Sequence, residues 1–300
     1  MKKVGIVTVL YNSETVLEDY FKTLSEQTYK NFILYVIDNK SPDNSLAISY
    51  KYAELYKDIY KTVIIENDQN YGIAKGNNIG IIKALAEGCD YILLSNNDIV
   101  LKSNTIELMV DGMHKNRVHM VVPKIYFYGT NLIWAAGGLF KYLSGGTNHI
   151  GYALEDKGQF EKQRLISYAP TCVMLIDKKV FYEVGLMDED YFVYYDDTDF
   201  IYRTHKIGLK LLYLPEPVVY HKESVCTGGM LSDFSLRYNA RNAVYFVLKN
   251  FSMIHCIIVA INNFLYYWIV RRNKVAIRQR QIVIDGYKEG YKLYQNKRGQ

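Results

Sequence analysis

Residues 91–94 and the polar residues after them constrain the fold more than any other part of the chain. Residues 91–94 (Tyr-Ile-Leu-Leu) are apolar without polar alternation, which is typical of a strand buried on both faces inside an α/β sheet. Ser95, Asn96, Asn97 and Asp98 follow directly. Open α/β sheets bind ligands at the carboxyl ends of their strands, so Asp98 is a candidate binding carboxylate. A simple turn is the alternative, because the same residue types dominate turns.

Strand-like and helix-like segments alternate before this point. Strands are predicted over residues 3–10, 31–37 and 62–66, and helices over 13–27, 46–60 and 72–85, with Ser13 as an N-cap. This alternation predicts an α/β fold with a mostly parallel sheet flanked by helices. Polar clusters follow the first, second and fourth strands, and in a parallel sheet all of them reach one edge. Further strands are predicted later in the chain, over residues 169–176 and 209–215.

Composition excludes several classes of protein. The 300 residues are 49% hydrophobic and 22% charged, which is globular. The four cysteines form no CxxC pair, which argues against a zinc site and for reduced thiols in the cytosol. The first apolar run is too short for a signal peptide. From residue 271 onward the chain has nine basic and two acidic residues, so this tail has a net charge of +7, whereas the whole chain has +5. The remainder is slightly acidic, so nucleic acid is not an expected partner.

Four motifs in order resemble a known family. They are residues 7–12 (VTVLYN), 38–43 (DNKSPD), 70–80 (NYGIAKGNNIG) and 95–98 (SNND), and residues 237–242 (RYNARN) extend the similarity. Together they resemble family 2 glycosyltransferases of the GT-A fold, in the rhamnosyltransferase-like branch that builds bacterial surface polysaccharides. The resemblance covers roughly residues 3–250. It implies a GT-A, Rossmann-like sheet followed by a C-terminal helical extension.

The resemblance implies a donor site built from these motifs. Asp38 is suited to a base or ribose, with an Asx-turn as the alternative. The glycines at 72, 76 and 80 either let phosphate approach a helix start or serve packing alone. The donor-binding candidates are Thr8, Leu10, Tyr11, Asn12, Asp38, Asn39, Asp43, Asn70, Gly72, Lys75, Asn77, Asn96, Asn97 and Asp98.

The family's metal motif is Asp-x-Asp, and this chain departs from it. Asn96 occupies the first position, so Asp98 is the remaining carboxylate for a metal. The resemblance adds His221 as a second ligand, although a single His is more often structural. Mn²⁺ or Mg²⁺ is the expected ion, because hard divalent cations suit carboxylate and phosphate oxygens.

An acidic, aromatic-rich segment at residues 185–199 provides the second half of the predicted site. A solvated loop and helix start is the alternative, since carboxylates favour a helix N-terminus. The resemblance makes Asp197 the catalytic base and Asp196 its neighbour. Arg203 lies on the helix that follows and is expected to pair with these acidic residues. The acceptor-binding candidates are Asp188, Trp134 and Tyr194.

The predicted division is a GT-A domain over residues 1–230, with a donor half of about 1–101 and an acceptor half of about 102–230. Residues 231–300 form a helical, basic region. Its apolar segment 254–270 is short for a membrane span and contains Asn262 and Asn263. It is expected to lie in the membrane interface, and a helix that packs in a dimer or against another domain is the alternative. The expected location is cytoplasmic, peripheral on the inner face of the cell membrane.

The predicted activity is an inverting, metal-dependent sugar transfer from a nucleoside diphosphate sugar to a hydroxyl of a glycan or polyprenyl-linked glycan. TDP-rhamnose is the first expected donor, and a UDP-linked hexose is the alternative. A protein that binds sugar nucleotides without catalysis is the other class considered. A nucleotidyltransferase is disfavoured, because the first strand ends in Tyr11 and Asn12 rather than in a Gly- and Arg-rich phosphate loop.

Overall fold

A large central sheet forms the body of the protein. A computed structural model describes residues 1–222, 232–270 and 277–298. The strands are β1 (Val4–Leu10), β2 (Phe32–Asp38), β3 (Lys61–Glu66), β4 (Tyr91–Ser95), β5 (Ile99–Leu101), β6 (Met120–Phe127), β7 (Ile133–Ala135), β8 (Gly138–Lys141), β9 (Gly146–His149), β10 (Arg164–Ile166), β11 (Val173–Asp177) and β12 (Leu211–His221). The order along the main sheet is β10-β12-β6-β11-β4-β1-β2-β3, with β5 beside β12 and β7 beside β6. Strands β8 and β9 form a separate hairpin.

The predicted parallel arrangement is confirmed for the first half of the chain. Strands β3, β2, β1 and β4 are parallel neighbours, and β11 joins β4 to β6 in the antiparallel sense. Strand β4 lies in the middle of the sheet with all its residues buried, as its apolar run predicts. Alternate residues of β2 point into two different hydrophobic clusters, one on each face of the sheet.

The helices cover the sheet and then continue beyond it. They are α1 (Glu14–Ser25), α2 (Ser45–Leu55), α3 (Gly72–Ala86), α4 (Thr105–Asn116), α5 (Lys178–Val184), α6 (Asp196–Lys206), α7 (Asp233–Asn250), α8 (Met253–Val270) and α9 (Ile277–Arg298).

Three local predictions are corrected by the structure. Ser13 occupies the N-cap position of α1, but its side chain makes no capping bond and donates instead to the carbonyl of Tyr11. The strand predicted over residues 209–215 is longer than expected, because β12 runs from Leu211 to His221. Its pairing with β6 shifts register between Tyr213 and Val218, and such irregularities accommodate proline in a strand. The predicted strand over residues 169–176 starts four residues later, at Val173.

Helices α7 and α9 pack closely against each other. A Cβ at Gly290 would lie 2.1 Å from the carbonyl oxygen of Arg241, so only glycine allows this approach. Arg237 forms a two-pronged ion pair with Glu289, with distances of 3.0 and 2.7 Å. None of the described helices is long and apolar enough to cross a membrane.

Cys89, Cys172 and Cys256 are free thiols, as the cysteine spacing predicts. Cys226 lies outside the described residues, as do the predicted domain boundary at 230 and the basic residues Arg271, Arg272 and Lys274.

Candidate active site

The polar loops that follow the parallel strands meet at one edge of the sheet, as predicted. The last residue of β1, Leu10, pairs with Asp38 at the end of β2, and Asp38 pairs with Glu66 at the end of β3. The side-chain amide of Asn97 donates to the carbonyl of Val9 at 2.8 Å, which ties the loop after β4 to β1. The carboxyl ends of four neighbouring strands therefore frame one surface.

Several donor-binding candidates hold these loops in place. Asp38 is buried and accepts the backbone N–H of Ser41 at 3.3 Å, which is the Asx-turn arrangement. Asn39 uses both ends of its amide, donating to the carbonyl of Gly72 at 3.0 Å and accepting from Asn67 at 2.8 Å. Contacts of Asp38 and Asn39 with a nucleotide stay predictions.

Asp43 joins the loops that follow β1 and β2. It accepts from Ser45 Oγ at 2.5 Å and from the backbone N–H of Glu14 at 3.0 Å. Burial alone raises the pKa of Asp43, but these hydrogen bonds outweigh it and the pKa is lowered. The carboxylate thus remains charged at neutral pH and fixes the loop geometry.

The remaining donor-binding candidates differ in exposure. Thr8 and Leu10 are fully buried, and Asn77 is nearly so, whereas Asn96 and Asn12 are exposed. The backbone of Asn12 has φ 58°, in the left-handed region. The side chain of Tyr11 is 40% exposed at the edge, and Lys75 Nζ lies 3.9 Å above the ring of Tyr71.

The glycines of α3 pack against other elements. A Cβ at Gly76 would lie 2.8 Å from Val9, and one at Gly80 would lie 2.4 Å from Val7, so these residues let α3 sit close on β1. The first N–H groups of α3 also have protein acceptors: Gly72 donates to Asn70 Oδ1, and Ile73 donates to the carbonyl of Phe192. The geometry therefore favours the packing alternative for Gly76 and Gly80.

Asp98 and His221 are brought together by strand pairing. His221 ends β12 opposite Ile99 of β5, and the backbone N–H of Lys222 donates to the carbonyl of Asp98 at 2.8 Å. His221 Nε2 lies 3.2 Å from Asp98 Oδ1, with an orientation that is not that of a hydrogen bond. Burial alone raises the pKa of Asp98, but the adjacent His221 outweighs it and the pKa is lowered.

These two side chains have the properties of metal ligands. Asp98 Oδ1 and both ring nitrogens of His221 are buried without a hydrogen-bond partner among the described residues. Buried polar atoms usually have a hydrogen-bond partner, so these unpaired atoms are suited to binding a cation. No group of three or more His, Cys, Asp or Glu side chains could hold a metal within the described ranges. Two protein ligands suit Mg²⁺ or Mn²⁺ when substrate phosphate oxygens and water complete the coordination.

Asp196 and Asp197 begin α6 after an unusual turn. Tyr194 and Tyr195 both have positive φ, 63° and 65°. Two consecutive non-glycine residues in this region are costly and persist only where the surroundings hold them. Asn242 of α7 holds them here, because its fully buried amide donates to the carbonyls of Val193 at 2.7 Å and Tyr194 at 2.8 Å.

The two carboxyl groups differ in their surroundings. Asp197 Oδ2 accepts from the hydroxyl of Tyr168 at 2.8 Å, and Oδ1 accepts from the backbone N–H of Thr198 at 2.6 Å. Asp196 is 5% exposed, while Asp197 is more accessible. Burial raises the pKa of both groups, and repulsion from Asp197 raises that of Asp196 further. Elevated pKa values of neighbouring carboxylates are typical of proton-transfer sites.

A continuous row of rings connects the metal candidates to Asp197. The ring of Trp134 lies 4.5 Å from those of His221 and His149, and His149 stacks on Tyr168 at 6.3 Å. Burial raises the pKa of the Cys172 thiol, and the negative charges of Asp98 and Asp197 raise it further. Asp98 and Asp197 thus lie at the two ends of one row of packed side chains.

The acidic segment before α6 is neutralised by cations. Arg203 pairs with Asp199 at 2.8 Å, which confirms the prediction that it binds the acidic cluster. Lys249 bridges Asp188 at 2.7 Å and Asp199 at 2.9 Å. Asp188 also accepts from Tyr245, so it anchors α7, and its acceptor-binding role stays a prediction.

The other two acceptor-binding candidates lie near the site. Trp134 is buried between the two histidine rings, and the hydroxyl of Tyr194 is hydrogen-bonded to Ser235 at 2.8 Å. Their contact with an acceptor also stays a prediction.

Sequence reasoning missed Tyr168 and His149 and did not assign a role to Asn242. One tyrosine among 29 carries no signal of its own. Asn242, in contrast, closes the motif at residues 237–242, and that position was a usable signal.

Comparison with known proteins identifies the family. Residues 5–185, more than half of the chain, match the glycosyl transferase family 2. The dTDP-rhamnosyl transferase RfbF of Shigella flexneri is 23% identical, over 93% of this chain and 94% of that protein. The N-acetylglucosaminyl-diphospho-decaprenol L-rhamnosyltransferase of Mycobacterium tuberculosis is 21% identical, over 74% of this chain and 77% of that protein.

Solved structures agree in fold. S. aureus TarS 1–349 in complex with UDP-GlcNAc has a TM-score of 0.62 at 14% identity, and the match covers 95% of this chain and 79% of that one. The mannosyltransferase PcManGT from Pyrobaculum calidifontis, with GDP-Man and Mn²⁺, has a TM-score of 0.58 at 13% identity, covering 98% and 82%. The chain therefore has the GT-A fold and belongs to glycosyl transferase family 2, whose members transfer sugars from nucleotide-sugar donors.

Proposed function

We propose that the protein is an inverting, metal-dependent glycosyltransferase of cell-surface polysaccharide synthesis. The observation that carries this proposal is the convergence of Asp98, His221 and Asp197 on one site, linked by the rings of Trp134, His149 and Tyr168. TDP-rhamnose is the first donor to test, since RfbF is similar over nearly the whole chain. A UDP-linked hexose is the second, because TarS binds UDP-GlcNAc on the same fold.

Asp197 acts as the general base. Its carboxylate accepts the proton of the acceptor hydroxyl as that oxygen bonds to the anomeric carbon, and the bond from this carbon to the diphosphate breaks. One carboxylate base without a covalent nucleophile gives a single displacement, hence inversion. Base catalysis of this kind contributes typically about 10²–10⁴ in rate.

Asp98 and His221 would hold Mn²⁺ or Mg²⁺. When bound, such an ion neutralises the charge that develops on the diphosphate leaving group. Asn96 stands where the family motif has an acid, so Asp98 is the carboxylate of this motif that remains for the ion. The partly exposed loops bearing Tyr11, Asn12 and Asp43 frame the donor site.

The donor and the metal can be tested together. Thermal stability is measured with TDP, UDP and GDP, each with and without Mn²⁺. We expect one diphosphate to stabilise the protein more with Mn²⁺, and Asp98→Ala to remove the Mn²⁺ increment. An unchanged Mn²⁺ increment in Asp98→Ala contradicts the metal assignment. Turnover is then followed as release of the nucleoside diphosphate from TDP-rhamnose or UDP-glucose.

The base assignment has a matched control in its neighbour. Asp197→Asn keeps the shape and hydrogen-bonding oxygen but removes basicity, so turnover should fall at least about 10²-fold. Donor affinity should stay within a few-fold of the parent. Asp196→Asn should keep most of the turnover. The reverse pattern assigns the base to Asp196.

We also propose that α8 docks on the membrane interface. It presents a row of large side chains that are 42–79% exposed: Met253, Ile254, Ile257, Ile258, Ile261 and Leu265. An apolar helix face of this kind, followed by basic residues, suits an anionic lipid surface. The docking would bring a polyprenyl-linked acceptor to a cytoplasmic enzyme on the inner face of the membrane.

Point variants test this docking without removing a helix. Ile257 and Ile261 are each 55% exposed on α8, and Ile82 is 53% exposed on α3. Ile257→Glu with Ile261→Glu should abolish co-flotation with phosphatidylglycerol-containing vesicles at low salt, whereas Ile82→Glu should not. If the parent protein does not float with the vesicles but forms a concentration-dependent dimer, and the double variant loses this dimer, the apolar face of α8 is a homodimer interface instead.

A further inference from the structure

The carboxylate of Asp197 is anchored at both oxygens. Tyr168 donates its hydroxyl to Oδ2 at 2.8 Å, and Thr198 donates to Oδ1 through its backbone N–H at 2.6 Å and its hydroxyl at 3.2 Å. Donors on both oxygens fix rotation about the last side-chain bond. Each carboxylate oxygen has two lone pairs, so Oδ1 is fully engaged and Oδ2 keeps one lone pair that can accept a proton.

Tyr168 is itself held rigidly. Its side chain is buried, and its ring lies against Phe140 at 5.6 Å and stacks on His149 at 6.3 Å. The backbone N–H of Tyr168 donates to Gly138, and a Cβ at Gly138 would lie only 2.8 Å from the ring. The β8–β9 hairpin therefore clamps the ring, which fixes the position of the hydroxyl oxygen beside Asp197.

We propose that Tyr168 is the positioning residue of the catalytic base: its clamped hydroxyl orients the Asp197 carboxylate toward the acceptor hydroxyl and favours its ionised form. This inference rests on the proposed role of Asp197. It adds a residue from the segment between β10 and β11, where the sequence carries no recognisable motif.

The groups around Asp197 determine in which direction its pKa moves when the hydroxyl of Tyr168 is removed. Several titratable groups surround the carboxyl groups of Asp196 and Asp197. They are Asp199 on α6, Tyr168 and Cys172 before β11, His149 on β9, and Tyr195. Burial raises the pKa of Asp197, and the hydroxyl of Tyr168 is the largest influence that lowers it. Burial and then Asp197 raise the pKa of Tyr168 itself, so it stays a donor. Removing this hydroxyl should therefore move the pKa of Asp197 upward.

The test is the pH profile of Tyr168→Phe, with Tyr60→Phe as the matched control. Both tyrosines are 4% exposed, and Tyr60 donates its hydroxyl to the carbonyl of Phe21 at 3.1 Å, outside the site. Turnover is measured as diphosphate release from whichever of TDP-rhamnose or UDP-glucose the parent uses. We expect kcat of Tyr168→Phe to fall about 10- to 100-fold, the size of a hydrogen bond to a charged group. KM for the donor should be unchanged, and the acid limb should shift to higher pH.

A double variant separates this inference from the base assignment. If Tyr168 acts through Asp197, Tyr168→Phe adds no further loss to Asp197→Asn. Equal profiles for Tyr168→Phe and Tyr60→Phe, with Asp197→Asn inactive, overturn the inference and leave the base assignment standing. An active Asp197→Asn overturns both. Thermal midpoints are recorded for every variant, and profiles are taken at a temperature where all are folded.

Discussion

Gly72 and Gly88 flank the same helix and allow a matched test of how α3 is joined to residues 192–195, which lead into the proposed base. Gly72 begins α3 with φ +81°, and Gly88 follows its end with φ +77°. A Cβ at Gly72 would lie 2.2 Å from the carbonyl oxygen of Phe192, whereas a Cβ at Gly88 meets nothing within 4 Å. Both alanine variants therefore carry the same backbone strain, but only Gly72→Ala collides with the segment that leads into Asp196.

The expected difference follows from the contacts. Positive φ costs a residue with a Cβ roughly 1–2 kcal/mol, and this applies at both positions. Gly72→Ala adds overpacking against main chain, about 1–3 kcal/mol, and weakens the hydrogen bond from Ile73 to Phe192, about 0.5–1.5 kcal/mol. The free energy of unfolding should thus be lower in Gly72→Ala than in Gly88→Ala by about 1.5–4.5 kcal/mol.

Urea unfolding followed by circular dichroism gives both free energies. Gly72→Ala should also lose turnover at temperatures where it is folded, because residues 192–195 must move, and Gly88→Ala should not. Equal unfolding free energies within about 0.5 kcal/mol would refute the idea that α3 packs closely on residues 192–195 at Gly72.

Two further predictions concern the base and its support. Asn242→Ala leaves the carbonyls of Val193 and Tyr194 without a hydrogen-bond donor, so the free energy of unfolding should fall by about 2–4 kcal/mol, measured by urea unfolding. In steady-state kinetics, kcat should fall by a larger factor than the affinity for the nucleotide sugar. Asp196→Asn should raise the thermal midpoint, because the pKa of this buried carboxyl is higher in the folded than in the unfolded protein. The direction of the pH dependence follows from the two pKa values of Asp196. Above its folded pKa the buried carboxylate is charged and destabilises the folded protein, whereas below its unfolded pKa the carboxyl group is neutral in both states. The gain should therefore be larger at pH 9 than at pH 4, and an equal gain at both would contradict it.

The features that sequence predicts best are those set by short-range patterns. The apolar run at residues 91–94 forms β4 in the centre of the sheet because no polar side chain interrupts it. The loops after β1, β2 and β4 share an edge because parallel strands end on the same side. The approach of Asp98 to His221 was available only through family resemblance, because it depends on β5 pairing with β12.

The remaining features depend on long-range packing. Tyr168 reaches Asp197 across 29 residues, and the segment that carries it has no periodic pattern. The glycines of α3 were compatible with a phosphate loop or with packing. The deciding facts are the positions of Val7, Val9 and Phe192, which lie on other elements.

The C-terminal helices support the proposed catalytic base as well as the proposed membrane docking. Asn242 of α7 holds the strained turn before Asp196, and Lys249 neutralises Asp188 and Asp199. Helix α9 covers α7 through glycine contacts, and Lys297 pairs with Asp190 at 2.9 Å. Removing everything after α7 would therefore remove the packing partners of the helix that holds the turn before the proposed base. For this reason point changes on the exposed face of α8 separate lipid binding from catalysis, whereas truncation would change both at once.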